Sequence, residues 1–208
     1  MGIITDSVNK QMYELLRRQI LSGHYKAGER IDSKTIAKEN GISAMPVRNA
    51  LSHLTSDGLV VNRERVGFFV RKFTQDEIVE IINARKMFEI YCLDTFFDQM
   101  DISQVRNFLK EFGRYDQLGP EVLENLDFEM HKMFVYASHN HILIDTYERL
   151  SAMFSLGYFV CKENIHVANK EHMEILEAIL IKNKAGALKC LEAHLNRVCE
   201  EVIQLYNE

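Results

Sequence analysis

Val8, Met12, Leu15, Leu16 and Ile20 recur at three- and four-residue intervals, the signature of one buried helical face. Asp6 stands ahead of them as an N-cap candidate, and Gly23 follows where a helix ends. A loop, HYKAGER, separates this helix from a short second one, KTIAKEN, with Asp32 and Ser33 as caps and Ile36 and Ala37 facing inward. Gly41 allows a sharp turn. Ser43 then caps a third helix, AMPVRNALSHLTSD. Pro46 sits in its first turn, where a missing N–H costs nothing, and Val47, Leu51 and Leu54 form its buried stripe. Gly58 stops it. Two β-rich segments follow, LVVNRE and GFFVRKF, joined by Arg65, Val66 and Gly67. Two short helices around a glycine turn, followed by a hairpin, predict a winged helix-turn-helix.

Beyond Phe73 the pattern is helical throughout. Thr74 to Glu77 reads as a capping box, with Phe73 and Ile78 placed as a hydrophobic staple. The helix it opens reaches about Gln99, with Ile78, Ile81, Ile82, Met87, Ile90 and Leu93 as its apolar positions. Further helices are expected from Ser103, from Pro120, over about 141–162, over about 168–181, and from the Asn183 cap to about Tyr206. The fold class is therefore mainly α: a winged helix-turn-helix over 1–73, then an all-α bundle of about six helices over 74–208.

Composition narrows the classes. Two prolines and ten glycines argue against an all-β sandwich, and 47% apolar with 26% charged residues is a globular balance. No apolar run approaches the roughly 18 residues that span a bilayer, so no membrane partner is expected. The first residues lack the basic and apolar regions of a signal peptide, and Asp6 stands where a myristoylation site needs Ser or Thr. Cys92, Cys161, Cys190 and Cys199 form no Cys-x-x-Cys pair and read as thiols of a reducing cytoplasm.

Taken as one number, the net charge of −5 disfavours nucleic acid, but it is unevenly spread. Residues 1–72 carry 12 Lys and Arg against 7 Asp and Glu; residues 73–208 carry 13 against 23. Two units with different partners follow, and only the basic one has to meet phosphate.

Histidines supply the second candidate chemistry. Asp127 and His131 are four apart on one helix, so they share a face and can chelate one ion. His172 and His194 lie on the last two helices, each 11 residues from Asn183, which places them opposite one another in an antiparallel pair. One carboxylate and three imidazoles suit zinc, nickel, manganese or iron, with positions left for water or ligand. The plainer alternatives are a surface Asp–His hydrogen bond and satisfied core histidines.

The run AGERIDSKTIAKENGISAMPVRNALSHLTSDGLVVNRERVGFFV resembles the DNA-binding domain of the GntR family of bacterial transcription regulators. The resemblance implies that the third helix enters the major groove and the wing meets the minor groove of a double-stranded operator. Lys34, Ser43, Arg48 and Gly67 match the family's DNA contacts, and Arg63 and Arg65 can add phosphate contacts. An Arg such as Arg48 can pair bidentately with guanine. Ala44 and Asn49 depart from the usual Arg and Glu, so a different operator is implied.

The segments DFEMHKMF, ASHNHIL and EHMEILEAILIKNKAGALKCLEAHL are similar to the FadR C-terminal domain, or FCD, of the FadR subfamily. Asp127, His131, His172 and His194 match its metal-ligand positions, which implies a bound divalent ion, zinc or nickel first. His139, His141 and His166 match none. Arg85 matches a recurring pocket arginine that would clamp a carboxylate of a small organic acid; an ordinary Arg85–Glu89 helix pair is the alternative. The reading implied is a cytoplasmic, homodimeric, ligand-responsive regulator, a repressor rather than an enzyme, on a palindromic operator. A metal-dependent enzyme acting on a small carboxylate is the rival, opposed by the absence of His-Glu-x-x-His and of paired Glu-x-x-His motifs. A regulator with a purely structural metal is the other.

Overall fold

The computed structural model describes residues 3–155 and 164–207. The chain divides into two compact units, Met1–Thr74 and Gln75–Glu208.

In the first unit, helix α1 (Ile3–Leu21) packs on α3 (Ala44–Ser56), and α2 (Ser33–Glu39) packs on α3 from another side. Leu16, Val47, Leu51 and Leu54 are fully enclosed where these helices meet. Because α1 already begins at Ile3, Asp6 lies inside the helix and is not its cap. Asp32 does cap α2, accepting from the Lys34 N–H at 3.0 Å and from the Thr35 hydroxyl at 2.8 Å. Ser43 occupies the N-cap of α3 in extended backbone but makes no capping hydrogen bond with its side chain. Tyr13 donates to Asp57 at 2.7 Å and so ties α1 to the C-cap of α3.

The wing is a three-stranded antiparallel sheet in the order β1-β3-β2. Strands β2 (Val60–Arg63) and β3 (Gly67–Val70) form the expected hairpin, with Arg63 opposite Gly67. Strand β1 (Arg30–Ile31) comes from the expected loop and pairs Arg30 with Phe69 and Ile31 with Phe68. Two residues are too short to show an alternation, which is why that strand leaves no sequence signal. Gly67 holds φ at +127°, a conformation that favours glycine, and this lets the hairpin close around Arg65.

The second unit is helical. Its described helices are α4 (Gln75–Thr95), α5 (Ile102–Phe112), α6 (Pro120–Tyr136), α7 (His141–Phe154), α8 (Ile165–Leu180) and α9 (Lys184–Asn207). Helix α9 packs on α8 and on α4; α5 lies against α8, while α6 and α7 lie against α4. Phe112, Met130, Phe134, Ile175, Leu176, Ile179, Leu191 and Leu195 fill the centre.

Helix α4 stops at Thr95 and gives way to a 3-10 turn, Phe97–Gln99, so it does not run to Gln99 as one helix. The turn drives Phe97 and Met100 into the core, and that burial ends the helix. Asp101, two residues ahead of Ser103, caps α5 by accepting from the Ser103 and Gln104 N–H groups. Helix α8 begins at Ile165, ahead of the expected start. The part of the expected fourth helix beyond Ser155, with Cys161, lies outside the described residues. Cys92, Cys190 and Cys199 are free thiols.

The largest departure is the buried face of α4. Met87 is 64% exposed, whereas Arg85 and Glu89 are buried beside Ile78, Ile82, Cys92 and Leu93. Positions 78, 82, 85, 89 and 92 are the true helical stripe, and two of its members are charged.

Candidate functional site

The first unit carries a groove of about 650 Å³ between the start of α2, the start of α3 and the wing. Arg30, Lys34, Arg48, Arg63 and Arg65 line it, with Asp32, Asn62 and Gly67. Asp32 is spent on capping α2, and its two hydrogen bonds, from the Thr35 hydroxyl first, hold its pKa below the ordinary value. The groove therefore presents mainly positive charge. Arg63 lies over the Phe69 ring at 4.4 Å, a cation–π contact that fixes its direction. Gly67 keeps the wing backbone bare at the mouth; a Cβ there would come within 3.5 Å of the Arg30 guanidinium.

Of the six residues expected to face DNA, five line this groove, and Ser43 is exposed at the head of α3 outside its lining. Sequence reasoning missed Arg30. Its only signal was a basic residue at the end of a loop, and its place depends on the unforeseen strand β1.

In the second unit, His131 of α6, His172 of α8 and His194 of α9 meet in the interior. All three are buried, and their candidate ligand atoms lie within 4.8 Å of one another. The His131 and His172 Nε2 atoms are 3.3 Å apart, and so are those of His172 and His194. A tetrahedral ion with bonds of 2.0–2.1 Å would separate neighbouring ligand atoms by about 3.3–3.4 Å. Asp127, one turn before His131, brings Oδ1 to 3.3 Å from the His172 Nε2 and 4.0 Å from the His131 Nε2. Its side chain keeps 15% exposure, so this corner of the cluster reaches solvent.

Two carboxylates orient the rings. Glu89 on α4 holds the His131 Nδ1 at 2.6 Å, and Glu171 on α8 holds the His194 Nδ1 at 2.7 Å. A ring that donates from Nδ1 presents the lone pair of Nε2, so both carboxylates aim lone pairs at the same point. Burial lowers the pKa of all three histidines; for His172 the neighbouring His194 and His131 lower it further. The cluster is therefore neutral near pH 7, the form that ligates metal. The residues present fit a divalent ion.

Glu89 is a hub. Its Oε1 accepts from Arg85 Nε at 2.7 Å and from the Tyr147 hydroxyl at 2.8 Å, and its Oε2 faces His131. Burial alone would raise its pKa, but Arg85 and then His131 outweigh that and bring it down to about 2. Arg85 is thus part of a buried ion pair, with Nη1 at 3.5 Å from the Phe154 carbonyl, and not of a solvated surface pair. On the far side, Arg197 of α9 grips Glu171 with two bonds of 2.7 Å. Glu89, Tyr147, Glu171 and Arg197 were not expected as parts of the site. A charged pair on the 78–82–85–89 stripe was the available clue for Glu89; nothing in the spacing marked Tyr147 or Arg197. His139, His141 and His166 are exposed and away from the cluster.

A basic winged helix-turn-helix in one chain with a helical domain that encloses a histidine cluster defines a class: the DNA-binding transcription regulators. Residues 8–70 match the model of bacterial regulatory proteins of the gntR family, and residues 80–197 match the FCD domain model. The chain belongs to the gntR family of bacterial regulators, with an FCD domain as its second unit. It is 29% identical over 206 residues to the uncharacterised HTH-type transcriptional regulator YdhC of Bacillus subtilis, covering 95% of this chain and 92% of YdhC. The structure of Escherichia coli McbR/YncC shares the fold with a TM-score of 0.78 at 21% identity, covering 96% of this chain and 98% of that one. The Zn²⁺-bound FCD domain of the regulator TM0439 is 31% identical, with a TM-score of 0.57, covering 66% of this chain and 99% of that domain. The families and relatives are transcription regulators, not enzymes. Among the described residues no helix is long and apolar enough to cross a membrane.

Proposed function

We propose that this regulator binds a palindromic operator as a homodimer, one winged helix per half-site, and represses until a small organic acid reaches the second unit. Arg48 would read a base edge, and Lys34, Arg63, Arg65 and Ser43 would grip phosphate, with Gly67 giving the wing a close approach. The cationic groove that gathers five of these residues supports this assignment. Two-fold symmetry of the protein would be mirrored in the operator.

In the second unit Asp127, His131, His172 and His194 would hold a divalent ion, zinc before nickel. The observation that carries this reading is the 3.3 Å spacing of the Nε2 atoms, two of them aimed by carboxylates. The ion would supply a Lewis-acidic point for a carboxylate of the effector. Arg85 would receive a second carboxylate and, in doing so, release Glu89 from its 2.7 Å contact. Since Glu89 also holds His131 and Tyr147, that exchange would be felt on α4, α6 and α7. Such a shift needs different effector affinity in the two states of the regulator.

The enclosure of all three histidines favours a second reading, a purely structural ion. Titration of metal-loaded protein with small mono- and dicarboxylates separates the two. Selective stabilisation, together with release from the promoter of the protein's own operon in a gel shift, is expected of a sensor. Equal melting with every acid would establish the structural reading. The absence of sequence-specific binding at low salt would overturn the DNA assignment.

A further inference from the structure

Two buried side-chain polar atoms of the second unit have no hydrogen-bond partner among the described residues: Asn169 Nδ2 and His172 Nδ1. Both belong to α8. At a separation of three residues they share one helix face, with Cβ atoms about 5–6 Å apart. Asn169 is 3% exposed. Its amide nitrogen is thus a donor inside the bundle without a partner among the described residues, whereas the buried Arg85 and Glu89 are paired.

The chemistry of the two atoms is complementary to one missing group. When the His172 Nε2 faces an ion, the ring proton resides on Nδ1, which makes that atom a donor. The amide nitrogen of Asn169 is a donor in any state. Two donors on one face, without an acceptor between them, call for an oxygen. A buried donor left unsatisfied is costly, and structures retain one where a ligand or water completes it. Beside them, the Phe112 ring lies 5.0 Å from the His172 ring and forms an apolar wall on α5.

We propose that Asn169 is a specificity-determining residue of the effector site, reading an oxygen that the acid carries beyond the carboxylate held at the ion. This rests on the metal–effector reading above and extends it. The ligand class becomes a hydroxy acid or dicarboxylate, in preference to a simple monocarboxylate. The acid's second oxygen accepts from the Asn169 amide and, where it reaches, from the His172 Nδ1–H. Asn169 acts only on recognition; the ion remains with Asp127 and the three histidines.

The test uses the zinc-loaded full chain with malate and acetate as probes, measured by titration calorimetry, for wild type, Asn169→Leu and Asn169→Ser. Zinc content and melting temperature are recorded for each. Leucine removes the orphan amide at similar volume, so zinc stays bound and melting is not lowered. Malate affinity is expected to fall roughly 10- to 100-fold, as for a lost hydrogen bond to a charged group, with acetate changing less than about twofold. Serine, which leaves more room, is expected to weaken malate in the same sense. Equal malate binding in all three proteins overturns the role of Asn169 alone. So does a parallel loss for both acids, or a variant that loses zinc or melts early, since each marks a structural amide bridged by water. Wild type that binds neither acid overturns the effector reading and this inference together.

Discussion

The two units handle charge in opposite ways. In the first, Arg30, Lys34, Arg48, Arg63 and Arg65 stand in solvent around an open groove, and the core beneath them is apolar. In the second, Arg85, Glu89, His131, His172 and His194 are inside, with Arg85 and His131 tied to Glu89 and His194 tied to Glu171. Exposed cations remain hydrated until a polyanion replaces the water and releases counterions, so they contribute little to folding. Buried ions have lost their water already, and each depends on the partner next to it. A surface charge can therefore be exchanged at the expense of binding alone. A buried one cannot be removed without a cost to the fold that encloses it.

Breaking the buried network is the largest effect expected. Glu89→Ala strands the Arg85 guanidinium and frees the His131 ring at once. Removing one partner of a buried pair costs about 3–5 kcal/mol, seen as a large drop in the melting temperature of the second unit. The double variant Arg85→Met, Glu89→Leu is expected to recover much of that loss, because it removes both charges. A single variant that melts like wild type would erase the contrast between the units.

Metal is the next lever. Chelation is expected to lower the melting temperature, and an ion at 100 times its Kd would be worth about 2.7 kcal/mol. The metal-free protein should also respond to acid with a definite sign. His131, His172 and His194 titrate below the ordinary histidine value, so the unfolded chain binds protons first. The stability they contribute is fully present above about pH 6.5, the unfolded value, and is lost as pH falls through the folded values. Ion affinity falls over the same range, because protons compete for the lone pairs. Loss of metal-free stability on raising pH from 6 to 8, measured by denaturant titration, would contradict the burial of neutral rings.

What the sequence shows of each unit follows from the same difference. The winged helix is local: glycine turns, the Asp32 cap and the Val47, Leu51, Leu54 stripe are all written in short stretches of chain. The meeting of Asp127 with the three histidines was legible because Asp127 and His131 share a helix and His172 and His194 flank one turn symmetrically. Glu89 was passed over because charge counts against burial in any hydrophobic periodicity, and Met87 took its place in the pattern. Tyr147 and Arg197 reach the site from 58 residues beyond Glu89 and 26 beyond Glu171, and no local spacing encodes such a meeting. Buried polar partners are chosen by tertiary packing, while exposed ones need only be present on the right face.

On the solvated side, Arg48→Ala tests whether an exposed charge can specify without stabilising. The variant should melt like wild type. Its operator affinity should fall by about 1–3 kcal/mol, with discrimination lost at one base position and non-specific binding almost unchanged. A uniform loss over all sequences would move Arg48 from base reading to phosphate grip. Loss of stability would mean that this cation, like those of the bundle, is part of the fold.

Lys34→Ala is the gentlest probe and sharpens the contrast most. Lys34 lies at the start of α2, exposed, with its backbone N–H tied to Asp32. Its ammonium is expected to meet a phosphate and nothing else. Affinity should then weaken alike for operator and random DNA, and the slope of log K against log salt should become shallower by about one unit. Affinity measured at several salt concentrations reads this directly, and melting should not move. An unchanged slope would take Lys34 off the duplex. The positive charge of the groove would then act through Arg30, Arg48 and the wing, and the DNA-facing surface would centre on the sheet that β1 completes.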